Sequence, residues 1–157
     1  MIKHFTSTIF VVFKSKIALH WHKKVEEWLP AGGHIDSNET PVDAGLREVK
    51  EEMGIDVKIF SKSKYSFDQV VNIAVPEAIL IESVFDINVG NHEHIDFVYF
   101  GIPLLQKISL SDDWIWLTSK DLISNKKLIT QNGLLKSPPD DVIKLGVEAI
   151  KMVNNSI

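Results

Sequence analysis

A helix with defined start and stop signals fixes the middle of this chain. Thr40 is a good N-cap, Pro41 suits the first helical position, and Asp43 stands where a capping box places its acid. Gly54 suits a left-handed C-terminal cap, because glycine adopts positive φ without steric cost. These signals predict a helix that runs from Pro41 to Met53.

The predicted helix has one apolar face and one acidic face. At about 100° per residue, its apolar residues fall within an arc of about 60° and predict the buried stripe, which consists of Val42, Leu46, Val49 and Met53. Glu48, Glu51 and Glu52 fall within about 100° on the other side, because residues three and four apart are neighbours on a helix. Three carboxylates so close together repel one another, and without a cation the arrangement costs stability.

A solvated acidic face is the ordinary explanation for such a run, with Arg47 and Lys50 offsetting part of the repulsion. Two features favour a metal site instead. The helix follows Ala31-Gly32-Gly33, which predicts a turn whose glycines let the backbone approach a ligand. Oxygen-rich clusters are also the ligand sets that hard cations such as Mg²⁺ require.

Runs of apolar, β-branched and aromatic residues flank this helix on both sides. Residues 5–13 and 17–21 are two such runs separated by Lys14-Ser15-Lys16, which predicts a hairpin. Three later runs are also typical of strands, namely residues 55–67, 77–87 and 94–104. A turn is predicted at residues 88–91, between the last two runs.

The end of the chain predicts one more strand and two helices. Residues 114–117 form a short strand, and Thr118 caps a brief helix through Leu122. A terminal helix is predicted from Pro138 or Pro139, with one apolar face formed by Val142, Leu145, Ala149 and Met152. The order of strands, helix, strands and helix over residues 1–157 predicts a single α/β domain with a mixed sheet packed between helices.

Composition excludes several classes of protein. The formal net charge is −4, whereas a protein that clamps a nucleic-acid duplex needs clustered lysine and arginine. The chain has no cysteine, which excludes disulfides and is compatible with a reducing cytoplasm. Polar residues 6–8 and Lys14 interrupt the first apolar run, so we expect no signal peptide, and no apolar stretch approaches the roughly 20 residues of a membrane helix. We therefore expect a cytoplasmic protein, and a homodimer is compatible with the sequence.

The segment from the glycines to the end of the helix matches the Nudix box at every defined position. Gly33 is followed after five residues by Glu39, and seven residues later comes the run Arg47-Glu48-Val49-Lys50-Glu51-Glu52-Met53-Gly54-Ile55. Over residues 33–55 the chain therefore resembles the Nudix hydrolase family, and its order of strands and terminal helix also resembles the Nudix-like α/β/α sandwich. One departure is Ala31, where the family usually has proline; Pro30 lies one place earlier.

The resemblance implies hydrolysis of a nucleoside diphosphate linked to another moiety, by attack of water at phosphorus with Mg²⁺ or Mn²⁺. By similarity, Glu48 and Glu52 are the main metal ligands, Glu51 is the third, and the Gly32 carbonyl is an additional candidate. Either Glu48 or Glu51 is the general base. Arg47 is expected to orient a glutamate through a charge-assisted hydrogen bond. ADP-ribose-like nucleotide sugars and canonical or oxidised nucleoside triphosphates are both open as substrates.

Acidic residues outside the Glu-rich run are further candidates for the substrate site. Asp112 and Asp113 directly precede the predicted strand 114–117, and Glu93 lies between two histidines. For the two aspartates, a turn between strands is the simpler explanation. Glu39 is expected to support the site structurally.

The histidines form two pairs with strand spacing. His92 and His94 can share one face of a strand, and His20 and His22 repeat that spacing. His34 lies within the box and is a candidate for substrate binding. A zinc site lacks a third clear ligand in this pattern, so we favour a role in steering phosphate.

Aromatic residues that could stack on a nucleobase are Trp28, Phe97, Tyr99, Trp114 and Trp116. Most of them are expected in the core, because Phe97 and Tyr99 share one strand face, as do Trp114 and Trp116. Trp28 is kept as a candidate for substrate binding.

Two other classes of protein are weighed against a hydrolase. A non-catalytic Nudix-like nucleotide sensor would need a degraded box, and this box is intact. An isomerase of prenyl diphosphates would need a cysteine for proton transfer, and cysteine is absent.

Overall fold

The computed structural model describes residues 1–61 and 65–156. Its helices are α1 (Pro41–Met53), α2 (Ser119–Ile123) and α3 (Asp140–Asn154). Its strands are β1 (Lys3–Phe13), β2 (Lys16–His22), β3 (Glu27–Leu29), β4 (Ala31–His34), β5 (Val57–Ile59), β6 (Ala78–Asp86), β7 (Gly90–Pro103), β8 (Trp114–Thr118), β9 (Leu128–Ile129) and β10 (Leu135–Lys136). No helix formed by these residues is long and apolar enough to cross a membrane.

The long strand β1 lies at the centre of a mixed sheet. It pairs in parallel with β7, from Lys3 opposite Glu93 to Val11 opposite Gly101, and antiparallel with β2 and β4. β7 also pairs antiparallel with β5 and β6, and β2 with β3 and β8. One parallel pair among antiparallel pairs confirms the predicted mixed sheet. β9 and β10 form a separate antiparallel pair.

Helices cover the two faces of this sheet. On one face Ile9 and Val11 of β1 belong to a core cluster that includes residues of α1. On the other face Phe10 and Val12 belong to a cluster that includes residues of α3. This alternation follows from the two-residue period of a strand, so β1 contributes to both cores. The predicted α/β/α sandwich is confirmed.

The ends of α1 are those predicted from the sequence. The Thr40 hydroxyl accepts a hydrogen bond from the Asp43 backbone, and the Asp43 carboxylate accepts one from the Thr40 backbone. Gly54 has φ of 69°, and its N–H donates to the carbonyl of Lys50. Both ends are therefore fixed by local chemistry, independently of the packing of the helix.

The buried face of α1 is only partly the predicted one. Val49 is fully buried and Met53 nearly so, whereas Val42 and Leu46 are only partly buried. Gly45 is also buried. It packs so closely against β1 that a Cβ at this position would lie 2.8 Å from the Ser7 hydroxyl oxygen. The missing side chain lets the helix approach β1, and this shifts the contact face from the apolar stripe toward Gly45.

The α3 helix shows a similar shift. Its buried residues are Val142, Gly146, Ala149, Ile150 and Val153. Val142 and Ala149 were predicted, whereas Leu145 and Met152 lie at the margin of the same core cluster. The predicted face is thus rotated slightly, because a small residue at position 146 faces Ile17 and Leu122.

The strand predicted over residues 55–67 is shorter in the structure. β5 ends at Ile59, residues 65–67 are not in a strand, and residues 62–64 lie outside the described part of the chain. β5 pairs with positions 101–103 of β7, and β6 pairs with positions 90–98 of the same strand. Along β7, the pairing with β5 thus ends close to where the pairing with β6 begins. The β1–β2 hairpin, β8 and α2 lie where predicted, and the turn before β7 occupies residues 87–89, slightly earlier than the predicted 88–91.

Candidate active site

The two glycines before α1 lie in a strand, which corrects the predicted turn. Ala31–His34 forms β4, and Gly32 and Gly33 pair with Thr8 and Ser7 of β1. Glycine-rich segments have little intrinsic preference for strands, but the central strand of the sheet supplies the pairing partner. The glycines therefore hold the backbone against β1 and beside α1.

Gly33 leaves the space in which the Glu48 carboxylate lies. A Cβ at position 33 would overlap the carboxylate oxygens of Glu48. The Glu48 side chain is only 15% exposed, so it has little room to move aside. Glycine is required here for the close approach of backbone and carboxylate, and its φ is unremarkable.

Arg47 organises the acidic face through its guanidinium group. Nε and Nη2 donate to the two carboxylate oxygens of Glu39, at 2.7 and 3.0 Å. Nη1 donates to Glu48 Oε1 at 2.7 Å and lies 3.5 Å from Glu51 Oε2. Nη2 also donates to the backbone carbonyl of His34 at 3.0 Å. The predicted hydrogen bond from Arg47 to a glutamate is confirmed, and Glu39 holds the guanidinium in place.

The electrostatic environment shifts the pKa values of Glu39 and Glu52 in opposite directions. The hydrogen bond from Arg47 lowers the pKa of Glu39, which therefore stays ionised. Loss of hydration and then the neighbouring charges of Glu48 and Glu51 raise the pKa of Glu52 to about 7, although part of its side chain remains open to solvent. The N–H of Gly32 donates to Glu52 Oε2 at 3.2 Å and only partly offsets this effect.

Of the two basic residues expected to offset the repulsion, Arg47 does so and Lys50 does not. Lys50 pairs with Asp56 at 2.8 Å, so its ammonium group is engaged beyond the C-terminal end of α1. Arg47 does contact Glu48 and Glu51, so these carboxylates do have a cationic partner. One guanidinium shared among several carboxylates leaves excess negative charge on this face.

The donor set fits a hard divalent cation. Glu48, Glu51 and Glu52 offer carboxylate oxygens on one side of α1, and Gly32 lies within hydrogen-bonding distance of Glu52. Mg²⁺ and Mn²⁺ prefer such oxygen ligands. Loss of hydration is the main cause of the raised pKa of Glu52, and repulsion from Glu48 and Glu51, which a cation would relieve, adds to it.

The acidic candidates outside α1 have different surroundings. The indole Nε1 of Trp114 donates to the Glu52 carbonyl at 3.3 Å, which places the start of β8 beside the C-terminal part of α1. Asp112 and Asp113 directly precede β8 and are exposed, and Asp113 accepts a hydrogen bond from Gln131. Glu93 forms an ion pair with Lys3 across the β1–β7 pair.

The histidine predicted within the box belongs to a different group of residues. The His34 ring lies 5.2 Å from that of His4 and 5.0 Å from that of His94, centroid to centroid. His34 contacts Arg47 through its backbone carbonyl, which accepts a hydrogen bond from the guanidinium group. The second pair, His20 and His22, lies on β2, where His20 packs against Trp114 at 4.6 Å. The two pairs therefore have different neighbours.

Most of the aromatic candidates lie in the core, as predicted. Trp28, Tyr99 and Trp114 are buried, and Trp28 packs against Trp21. Phe97 is partly buried and lies 6.1 Å from the ring of Phe5. Of these rings, that of Phe97 is the one that reaches an open groove.

That groove has a volume of about 430 Å³ and runs beside the N-terminal end of α1. Phe5, Ile35, Pro41 and Phe97 form its apolar lining, and Asp36 and Ser37 complete it. Phe5 is 54% exposed although it lies within β1. The sequence indicated only a strand at Phe5, and its exposure depends on how far α1 extends over the sheet.

Comparisons with known proteins agree with this geometry. The NUDIX domain family matches the chain over residues 3–132. A solved hydrolase of the NUDIX family from Clostridium perfringens is 27% identical, with a TM-score of 0.71 over 98% of this chain and 99% of that chain. None of the curated proteins compared with the chain matches it.

Two more distant structures share the fold. A UDP-X diphosphatase is 15% identical with a TM-score of 0.58, and the match covers 99% of this chain but 64% of that one. The Ap4A hydrolase of C. elegans is 18% identical with a TM-score of 0.50, over 99% of this chain and 98% of that one. At these identities the likeness concerns the fold alone.

Proposed function

The chain belongs to the Nudix family of pyrophosphohydrolases, and from that premise we propose which linkage it cleaves and with which residues. The substrate class is a nucleoside diphosphate linked to another moiety. The bond that is hydrolysed is the diphosphate linkage, and the reaction depends on Mg²⁺ or Mn²⁺. The observation that carries this proposal is that Arg47 Nη1 lies 2.7 Å from Glu48 and 3.5 Å from Glu51, while the charges of the same two glutamates help to raise the pKa of Glu52.

The roles of the glutamates are proposed from the resemblance to the Nudix box. Glu48 and Glu52 are the main ligands of the cation and Glu51 is the third, with the Gly32 carbonyl as an additional ligand. The cation supplies charge neutralisation for the diphosphate and makes attack by water easier. Either Glu48 or Glu51 accepts the proton of the attacking water. Arg47 is a positioning residue, because it fixes Glu48 at 2.7 Å while Glu39 fixes Arg47.

The groove beside α1 is proposed to receive the nucleobase. Phe97 and Phe5 present rings at its floor, and aromatic faces stack on any base. Such contacts favour a nucleoside without distinguishing one base from another. Nucleotide sugars such as ADP-ribose and nucleoside triphosphates therefore both stay candidate substrates. His34, Glu93, Asp112 and Asp113 stay candidates for contacts with the remainder of the substrate.

Trp28 is not retained in this role. Its side chain is 3% exposed and lies in the core cluster on the α3 side of the sheet. A buried ring cannot stack on a ligand unless the core opens.

A substrate screen tests the proposed function. Hydrolysis of ADP-ribose, UDP-sugars, dinucleoside polyphosphates and nucleoside triphosphates is followed by anion-exchange chromatography, which separates nucleoside monophosphate products from the substrates. The names of the two distant structures guide the choice of the second and third groups. We expect hydrolysis of at least one group with Mg²⁺ and none in excess EDTA. Flat traces on all substrates would favour the alternative, a non-catalytic nucleotide sensor.

Assembly, domain organisation and location are further proposals. A homodimer is supported by an exposed apolar face of β6, which is formed by Ile79, Ile81 and Phe85. Sedimentation of the wild type and of Ile81→Lys tests the homodimer.

A single domain over residues 1–157 is supported by α3, which packs in the same core as β1 and β2. We also expect the protein to act on nucleotides in the cytoplasm.

A further inference from the structure

Four histidines from three neighbouring strands meet at one end of the sheet. His4 of β1 lies opposite His94 of the parallel strand β7, and His92 is two residues earlier on the same face of that strand. His34 ends β4, on the other side of β1. The ring centroids of His4 and His92 are 4.8 Å apart, and those of His92 and His94 are 4.9 Å apart. We call this group the histidine cluster.

The ring nitrogens in the cluster have the spacing of metal ligands. One nitrogen from each of His4, His92 and His94 lies within 4.8 Å of the other two. Nε2 of His92 is 3.0 Å from Nε2 of His94, and Nε2 of His34 is 3.3 Å from Nδ1 of His4. In tetrahedral zinc sites, Zn–N bonds of about 2.0–2.1 Å place neighbouring nitrogens about 3.3 Å apart. Small movements of the rings would therefore bring these nitrogens into one coordination sphere.

The tautomer of His92 is fixed by the backbone. Its Nδ1 lies 3.0 Å from the carbonyl oxygen of Gly90, and because a carbonyl only accepts, Nδ1 carries the hydrogen. In the neutral ring, Nε2 then carries a lone pair that is directed at His94. The His92 side chain is 3% exposed, so this lone pair is held inside the protein. Metal-binding histidines are commonly anchored in this way, with the second ring nitrogen donating to a carbonyl.

The surroundings of His34 and His94 favour the neutral ring. Burial and the neighbouring imidazoles lower the pKa of His94 to about 4 and also lower that of His34. His34 is the most exposed of the four rings, and it gives an ion access from solvent. Imidazole nitrogens select Zn²⁺ and its neighbours in the transition series over Mg²⁺, whereas the carboxylates of α1 favour Mg²⁺.

We propose that His4, His92 and His94, with His34 on the open side, bind a divalent transition-metal ion of the Zn²⁺ class, at a site separate from the carboxylates of α1. The sequence presented the pairs His92–His94 and His20–His22 without a third ligand, and it favoured a role in steering phosphate over a zinc site. The parallel register of β1 and β7 supplies His4, and the antiparallel register of β1 and β4 brings in His34. The proposal does not depend on which nucleotide is hydrolysed.

Metal titration of the chelator-treated protein tests this site. Co²⁺ is added in excess Mg²⁺, so that the carboxylates are occupied, and its visible absorption reports a tetrahedral nitrogen environment. We expect one equivalent of Co²⁺ to bind and to be displaced by one equivalent of Zn²⁺. His4→Gln and His94→Gln should each weaken Zn²⁺ binding at least tenfold. These two positions are chosen in preference to His92, which is almost fully buried. Replacement of a buried residue would test folding as well as metal binding.

Two controls separate the histidine cluster from other sites. His20→Gln alters the histidine pair of β2, which has the same spacing, and should leave Zn²⁺ affinity unchanged. Glu52→Gln should also retain Zn²⁺ binding, even though it impairs the carboxylate site. The proposal is overturned if Zn²⁺ does not bind, if His4→Gln and His94→Gln bind it like the wild type, or if only Glu52→Gln abolishes binding.

Discussion

Arg47 and Gly33 show how single residues set the geometry of the proposed active site. The guanidinium holds Glu48 at 2.7 Å and is itself held by both oxygens of Glu39. The absence of a side chain at Gly33 leaves the volume that the Glu48 carboxylate fills. One residue thus orients the carboxylate and the other gives it space, so Glu48 depends on both.

Gly33→Ala tests this dependence. The added methyl group would overlap the Glu48 carboxylate and displace it from its position next to Arg47. We expect turnover to fall at least tenfold, which corresponds to about 1.4 kcal/mol of lost transition-state stabilisation. Circular dichroism should be close to that of the wild type, because the overlap involves the Glu48 carboxylate and no backbone atom. Unchanged turnover would show that the position of Glu48 does not limit the reaction.

Among the elements, those with strong local signals were predicted best. The capping box at Thr40 and the glycine at position 54 placed both ends of α1 from sequence, because these signals act within a few residues. β4 was mistaken for a turn, since Gly32 and Gly33 disfavour strands and only pairing with β1 makes them one. The same limit applies to His4, whose place beside His94 follows from a strand register across 90 positions.

Gly54→Ala tests whether the C-terminal cap of α1 is a local device. Gly54 has φ of 69°, and a Cβ there would meet no atom within 4 Å, so any cost comes from the backbone conformation. We expect the free energy of unfolding to fall by roughly 1 kcal/mol, as for other residues forced into the left-handed region. Chemical denaturation measures this directly. An unchanged midpoint and slope would mean that α1 is ended by packing instead.

At the scale of the whole molecule, the sheet separates two groups of potential metal ligands. The carboxylates of α1 lie on the helix that covers one face, and the histidine cluster lies at one end of strands β1, β4 and β7. His34 is the residue nearest to both, because its carbonyl accepts from Arg47 while its ring lies beside His4. Positions far apart in the chain therefore meet only after the sheet has formed.

Metal binding should be visible in the stability of the whole protein. Mg²⁺ bound only to the folded state raises Tm by mass action and relieves repulsion among the carboxylates. The raised pKa of Glu52, about 7, means that the metal-free folded chain retains a proton that the unfolded chain loses near its ordinary value of 4.5. Metal-free stability from this group therefore falls as pH rises from about 4.5 to about 7.

The gain in Tm from Mg²⁺ should accordingly be larger at pH 8 than at pH 5.5, because the proton competes with the cation at the lower pH. Glu52→Gln should reduce the gain at pH 8. Differential scanning fluorimetry with and without Mg²⁺ measures Tm for the wild type at both pH values and for Glu52→Gln at pH 8. If Glu52→Gln were strongly destabilised without metal, Glu52 would instead act as a structural ion-pair partner.

The turnover of glutamine variants at saturating substrate and Mg²⁺ tests the assignment of the active site most directly. Glu48→Gln and Glu51→Gln keep the size of the side chain and remove its charge, so folding should survive while the charge that acts in the transition state is lost. The matched control is Glu77→Gln, an exposed glutamate just before β6 and outside the glutamate cluster of α1 (Glu48, Glu51 and Glu52). We predict at least a hundredfold loss, about 2.7 kcal/mol, for each cluster variant and near wild-type turnover for the control. Wild-type turnover in both cluster variants, with loss in Glu77→Gln, would contradict the assignment.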